Sequence, residues 1–488
     1  MKATIASAYV ALAVGVLPAA AQQQQPVLSD RVAKSMPSRY QAPECGLKSG
    51  HFKVSSGASY LKSGIENSVP DNQKRSYESG QKVLNEAIGQ NGQDKNPAAW
   101  YYLGRIYLQQ GDLIGADTAL TRAAQMAPAC EKEISGYRQN AWVALIKGGN
   151  TFEEQKNLDS ALVLYRQAGM IFHTSAIPYY QAANVFNTKG QTDSASAYFG
   201  KAVAASAHAT DTTEVNIRNR SAFNQGALLL NSQKYPEAIK AFEQYLQWMP
   251  NDNEAKRGLA GAYRGAGDVA KAQALEQQVV AAGGAAGGAA AAGGGAGAGT
   301  GAQDLMNIGV NFYNEKKYAD AATAFEKVVQ AEPYNRDALF NLTNTYLALK
   351  DGPKLLATAQ KLAELEPMNE NVLKLVGEGY KQSSKVNEAV STAEKVLALP
   401  IDLKVNEFAP TASGATLAAT ATGRAAQTAA GKPIPAKPVT LTFEFLNASG
   451  GVVGSQDVEV PALKAGATQD VKAAGQGQGI AGYRYKQK

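Results

Sequence analysis

The sequence predicts an α+β multidomain chain: two α-solenoid arrays of helical hairpins joined by a Gly/Ala linker, then a small antiparallel β-sandwich. Three observations predict it. A pattern of large and small residues recurs with a period of about 34 residues. Residues Gly283 to Gly301 are almost entirely glycine and alanine. After Pro400 the hydrophobic period changes from helical to alternating.

The chain opens with Lys2, an apolar run from Ile5 to Leu17, and the small residues Ala19, Ala20 and Ala21. This is the pattern of an export signal cleaved after Ala21, and the run is too short to span a membrane comfortably. No later run is apolar for the length of a spanning helix, so the mature chain is expected in the periplasm or the medium. Residues 22–48 read as a disordered or extended segment. In an oxidising compartment Cys45 and Cys130 can pair and tie that segment to the helices; two unpaired thiols are the alternative.

Residues 49–96 read as a degenerate helical capping repeat (Phe52, Leu61, Ile65; Tyr77, Leu84, Ile88). The first array, 97–282, holds about five repeats. Its clearest member is Trp100, Leu103, Gly104, Tyr107, Ala116, Leu120, Ala123 and Pro128. Small residues there let two helices approach closely while large ones fill the space around them. Leu145, Gly149, Tyr165 and Ala168 begin the next repeat, and Tyr179, Ala183, Phe186 and Phe199 the third. The fourth follows at Gly226, Leu229, Ala238 and Phe242, and the fifth at Leu259, Ala260, Tyr263 and Ala272. The last helix of that array carries Glu276 where a large apolar residue is expected, which suggests a solvent-facing cap.

Residues 283–301 hold ten glycines and read as a flexible linker between two bodies. A second array of three repeats occupies 302–400, starting at Leu305, Ile308, Gly309 and Phe312. From 401 to 488 short alternating segments predict six or seven strands, at Asp402–Phe408, Thr416–Thr422, Thr440–Phe445, Val452 and Val453 with Val458 and Val460 (one strand or two), Thr468–Val471 and Ile480–Tyr485.

Composition argues against chemistry. The formal charge of +6 is spread without a basic block, so nucleic acid is not an expected partner. Three histidines and two cysteines lie far apart with no metal-ligand spacing, and no nucleophile elbow or phosphate loop is present. No catalytic residue, metal or cofactor is expected.

The pattern from Trp100 to Pro128 resembles the tetratricopeptide repeat at every signature position, and the likeness extends over roughly residues 97–286 and 302–403. It implies a right-handed superhelix whose first helices line a groove that holds peptides or protein segments. The C-terminal segment resembles the FxLYD-type bacterial envelope domains through Phe443-Glu444-Phe445, the Asn447–Gly451 turn, Val452-Val453, Leu463 and Gly466, which implies an immunoglobulin-like fold.

Helix geometry places candidate binding residues. If repeat positions 4, 7, 8 and 11 face inward, positions 2, 5, 9 and 12 share another face. Position 5 reads Tyr101, Ile146, Tyr180, Phe223 and Arg257 in the first array, and Met306, Phe340 and Lys374 in the second. An apolar stripe there suggests a binding surface; the alternative is packing between neighbouring first helices. Positions 6 and 9 add Asn184, Asn224, Asn307, Asn341 and Asn344, amides that can hold a peptide backbone or bond between repeats. The family's lysine-rich carboxylate clamp is not matched, since Tyr180 stands at a position where it has lysine. The expected function is a non-catalytic scaffold that binds protein or peptide segments. Alternatives are a self-associating envelope component, or a module that binds glycan or cell wall through the β domain.

Overall fold

The computed structural model describes residues 30–282 and 301–488. The export signal and nearly all of the Gly/Ala segment lie outside the described residues. The fold follows the expected class, helical hairpins followed by an antiparallel β domain. It divides into two compact units between Pro250 and Asn251.

In the first unit five hairpins stack in chain order: α1 (Phe52–Glu66) with α2 (Pro70–Gln90), α3 (Pro97–Gln110) with α4 (Leu113–Met126), α5 (Glu131–Glu154) with α6 (Leu158–Ile171), α7 (Ile177–Thr188) with α8 (Thr192–Ala205), and α9 (Thr212–Asn231) with α10 (Tyr235–Trp248). The α3–α4 hairpin shows why these residues fold this way. Asn96 caps α3 by accepting from the Ala98 N–H at 3.0 Å, and Pro97 sits in the first turn, where its missing N–H costs nothing. Gly111 ends the helix at φ +72°, and Asp112 accepts from the Gly115 N–H at 2.9 Å to start α4. Gly104 faces Leu120 so closely that an added Cβ would lie 2.7 Å from a Leu120 methyl group. Ala116 and Ala123 are fully buried on the opposite helix.

The second unit begins with α11 (Asn253–Gly265) and α12 (Val269–Ala281) and continues with α13 (Gly301–Asn314) and α14 (Tyr318–Ala331), α15 (Arg336–Leu349) and α16 (Gly352–Leu365), and α17 (Glu370–Gln382) and α18 (Val386–Ala398). Two expectations are corrected here. The Gly/Ala segment does not mark a gap between two bodies. Val279 and Val280 of α12 share one core with Leu305, Met306, Ile308 and Phe325 of α13 and α14, so the hairpins on either side of the segment pack together. Nor is α12 a solvent-facing cap. Glu276 is buried, because Arg264 neutralises it at 2.7 Å and Asn311 of α13 donates to it at 3.3 Å.

The β domain has two three-stranded antiparallel sheets. The strands are β1 (Ile401–Pro410), β2 (Gly414–Gly423), β3 (Val439–Asn447), β4 (Val452–Val460), β5 (Thr468–Gln476) and β6 (Ile480–Gln487), in the orders β1-β2-β5 and β4-β3-β6. Their alternation buries Leu403, Leu417, Leu441, Phe443, Phe445 and Tyr485 in one core. The Asn447 side chain forms the turn, its Oδ1 accepting from the N–H groups of Ser449 and Gly451. The domain seats on the helices through Tyr334, which approaches Gly482 where a Cβ would stand 2.7 Å from the tyrosine's own Cβ. The backbone continues the contact, with the Leu403 N–H donating to the Met368 carbonyl at 3.0 Å.

Candidate protein-binding groove

The residues predicted to line a groove are not equally available to solvent. Tyr101 is fully buried, and Tyr180 and Met306 are buried as well. Ile146, Phe223 and Phe340 are half-buried. The expected exposed stripe is therefore corrected: its rings serve largely as packing between neighbouring helices. Phe223 meets Phe242 and Tyr245 edge-on at 5.9 and 5.6 Å, Ile146 packs against the cores on either side of it, and Met306 belongs to the core around α13. The guanidiniums of Arg220 and Arg336 lie over the Tyr180 and Phe340 rings at 5.2 and 4.8 Å.

The asparagines are half-buried with one exception. Asn184, Asn224, Asn341 and Asn344 are half-buried and Asn307 is exposed. Two of the side chains are used within their own helices: Asn344 donates to the Phe340 carbonyl at 2.9 Å, and Asn307 accepts from Gln303 at 3.2 Å. Of the whole set only Asn307 is exposed; the other amides are half-buried, as are Ile146, Phe223 and Phe340.

Tyr101 is buried among Tyr102, Tyr137, Arg105 and Glu133, and the N-terminal segment engages Arg105 and Glu133 in turn. The Cys45–Cys130 disulfide is present, with Cα atoms 5.0 Å apart, and the segment before it is anchored at Val32 and Met36, which are buried, while about half of its residues are exposed. Arg105, one helical turn after Tyr101, was not among the predicted residues. Its guanidinium stacks on the rings of Tyr40, Tyr101 and Tyr137 and donates to the Gln41 carbonyl at 2.7 Å. Glu133 of α5 accepts from the Tyr101 hydroxyl and, through its other oxygen, from the Glu44 N–H at 3.1 Å. An arginine at position 9 between two tyrosine-rich turns was the signal available in the sequence.

Among the described residues no group of three or more His, Cys, Asp or Glu could hold a metal ion, and no helix is long and apolar enough to cross a membrane.

Family models for the tetratricopeptide repeat match residues 73–129, 176–208 and 229–291. The chain carries tetratricopeptide repeats over these residues. The repeats are of a kind that mediates protein interaction, and their first helices α3, α5, α7 and α9 carry the positions just described. Similar solved structures include MamA from Desulfovibrio magneticus RS-1, at 17% identity and TM-score 0.29, covering 41% of this chain and 97% of that one. MamA from MSR-1 is 21% identical with TM-score 0.27, covering 38% of this chain and 97% of that one. No curated protein matches the chain.

Burial of the groove tyrosines has a pH consequence. Burial pushes the Tyr102 and Tyr77 phenols up to about 12, and pushes Tyr101 well above the ordinary value despite the Arg105 charge. An unfolded tyrosine loses its proton near pH 10, while these hold theirs beyond it. Their contribution is therefore complete below about pH 10 and is lost as pH rises past it. Alkaline titration should show phenolate absorbance rising in two steps, the second coinciding with loss of the helical far-ultraviolet signal; a titration of every tyrosine complete before that loss would contradict this.

Proposed function

We propose that the protein is an exported, non-catalytic scaffold that holds protein or peptide segments on the first-helix face of its tetratricopeptide repeats. The observation that carries the reading is the row of half-buried amides at Asn184 and Asn224 beside the rings of Tyr180 and Phe223. Amides on such a face can donate to and accept from an extended backbone, and the rings beneath supply apolar contact. Export is supported by Lys2, the run from Ile5 to Leu17 and the Ala19–Ala21 site, and the paired Cys45 and Cys130 suit an oxidising compartment.

The experiment is capture from envelope extract by wild type beside Asn184→Ala/Asn224→Ala. Both side chains are half-buried, so the change should cost no more than about 1 kcal/mol of stability. A several-fold fall in recovered partner is expected, with the helical signal intact. Equal recovery would move the binding site off α7 and α9.

A further inference from the structure

The first stretch of this face already holds a segment. Residues 36–50 form no helix or strand, and what seats them is the surface of α3 and α5. A short helical turn at residues 30–35 sets Val32 and Met36 on one side, both buried in the same core as Leu108, Ile134 and Tyr137. Arg31 lies over the Phe152 ring at 5.7 Å. Beyond Met36 the chain runs across Arg105, which takes the Tyr40 ring and the Gln41 carbonyl, and reaches Glu133, which takes the Glu44 N–H. Two backbone groups of the segment are thus met by groove side chains rather than by a ladder, which is how a bound peptide is held. The fit leaves only a small cavity, lined by Met36, Pro37, Arg105, Leu108, Gln109 and Tyr137.

We propose that residues 31–44 are a built-in occupant of this stretch of the groove, which, once vacated, takes a protein segment of the same chemistry. That segment would present two apolar anchors one helical turn apart, then an aromatic ring and a backbone carbonyl for Arg105. The proposal rests on the groove reading above and says where that groove is closed. The Cys45–Cys130 bond fastens the occupant at its C-terminal end, so an outside segment competes with a tethered one at a high effective concentration.

The test uses the full mature chain and a fluorescent synthetic peptide of residues 30–44. In oxidised wild type the short helical turn, Met36 and the Glu44 N–H should be protected from hydrogen exchange, since those amides have acceptors, and the peptide should not bind. In Val32→Asp/Met36→Asp the segment should exchange freely and the peptide should bind. Adding Arg105→Ala to that variant should weaken binding about tenfold. Free exchange of the turn, Met36 and the Glu44 N–H in oxidised wild type overturns the proposal. So does failure of the peptide to bind a vacated variant that keeps wild-type helicity. Should Val32→Asp/Met36→Asp lose its helices, the same binding is read on Cys45→Ser/Cys130→Ser. Loss of helices in both would show the segment to be part of the folded core and also overturns the proposal. The Asn184/Asn224 capture experiment addresses a different stretch, so its failure and this one are told apart.

Discussion

Glu366→Ala should destabilise the second unit by about 2–4 kcal/mol, the cost of leaving a partly buried guanidinium, an amide and a buried phenol without their shared acceptor. The Glu366 side chain is fully buried between α16 and α17. Four donors converge on it: Arg336 Nε at 3.0 Å and Nη2 at 3.3 Å, Asn369 Nδ2 at 2.8 Å, and the Tyr483 hydroxyl of β6 at 2.6 Å. Removing the carboxylate strands a guanidinium and a buried phenol together. Tyr483→Phe removes one of the four bonds and should cost only about 1–2 kcal/mol.

The two units can be read separately in this experiment. All three tryptophans, Trp100, Trp142 and Trp248, lie in the first unit. Denaturation of Glu366→Ala should therefore leave the tryptophan transition in place and lower the midpoint seen by far-ultraviolet circular dichroism. An unchanged dichroism transition would mean that the carboxylate does not hold the β domain to its helices. A substitution that also moved the tryptophan transition would show that the two units unfold together.

Repeat hairpins and strands were legible because each is a local pattern with one physical cause. Gly104, Ala116 and Ala123 are small where α3 and α4 touch, and that requirement is visible in the spacing alone. The alternation from Thr440 to Phe445 buries every second residue of β3 up to Phe443 for the same reason. What the spacing could not show is what covers a face once it is built. Tyr101 has the register of an exposed groove residue, yet it is buried against Tyr137 and Glu133 of the next helix pair and Arg105 of its own, which an upstream segment engages in turn, and the helical period carries no trace of that. Glu276 is the converse case. A carboxylate at an apolar position reads as exposed until Arg264 and Asn311 are seen beside it, and neither is a neighbour in the sequence. The disulfide was open to inference because only two cysteines exist to pair.

Removal of that disulfide by Cys45→Ser/Cys130→Ser should cost the first unit about 4–5 kcal/mol. The bond joins residues 85 apart in the sequence, and closing a loop of that length removes this much chain entropy from the unfolded state. The residues enclosed include both N-terminal hairpins, α1 to α4. A stack of repeats unfolds most readily from its ends, where a hairpin has one neighbour instead of two. The bond acts on that weak end, because α1 and α2 cannot peel away without carrying a closed loop. Hydrogen exchange of the serine variant should therefore rise first in residues 31–44, α1 and α2, with α7 and α8 keeping their protection. The tryptophan midpoint should fall and that of the second unit should stay. A fall below about 1 kcal/mol would show that the covalent loop contributes far less than chain entropy requires. Exchange rising evenly along the first unit would show that the end hairpins are held by their packing, and that the bond serves to keep the N-terminal segment against Arg105.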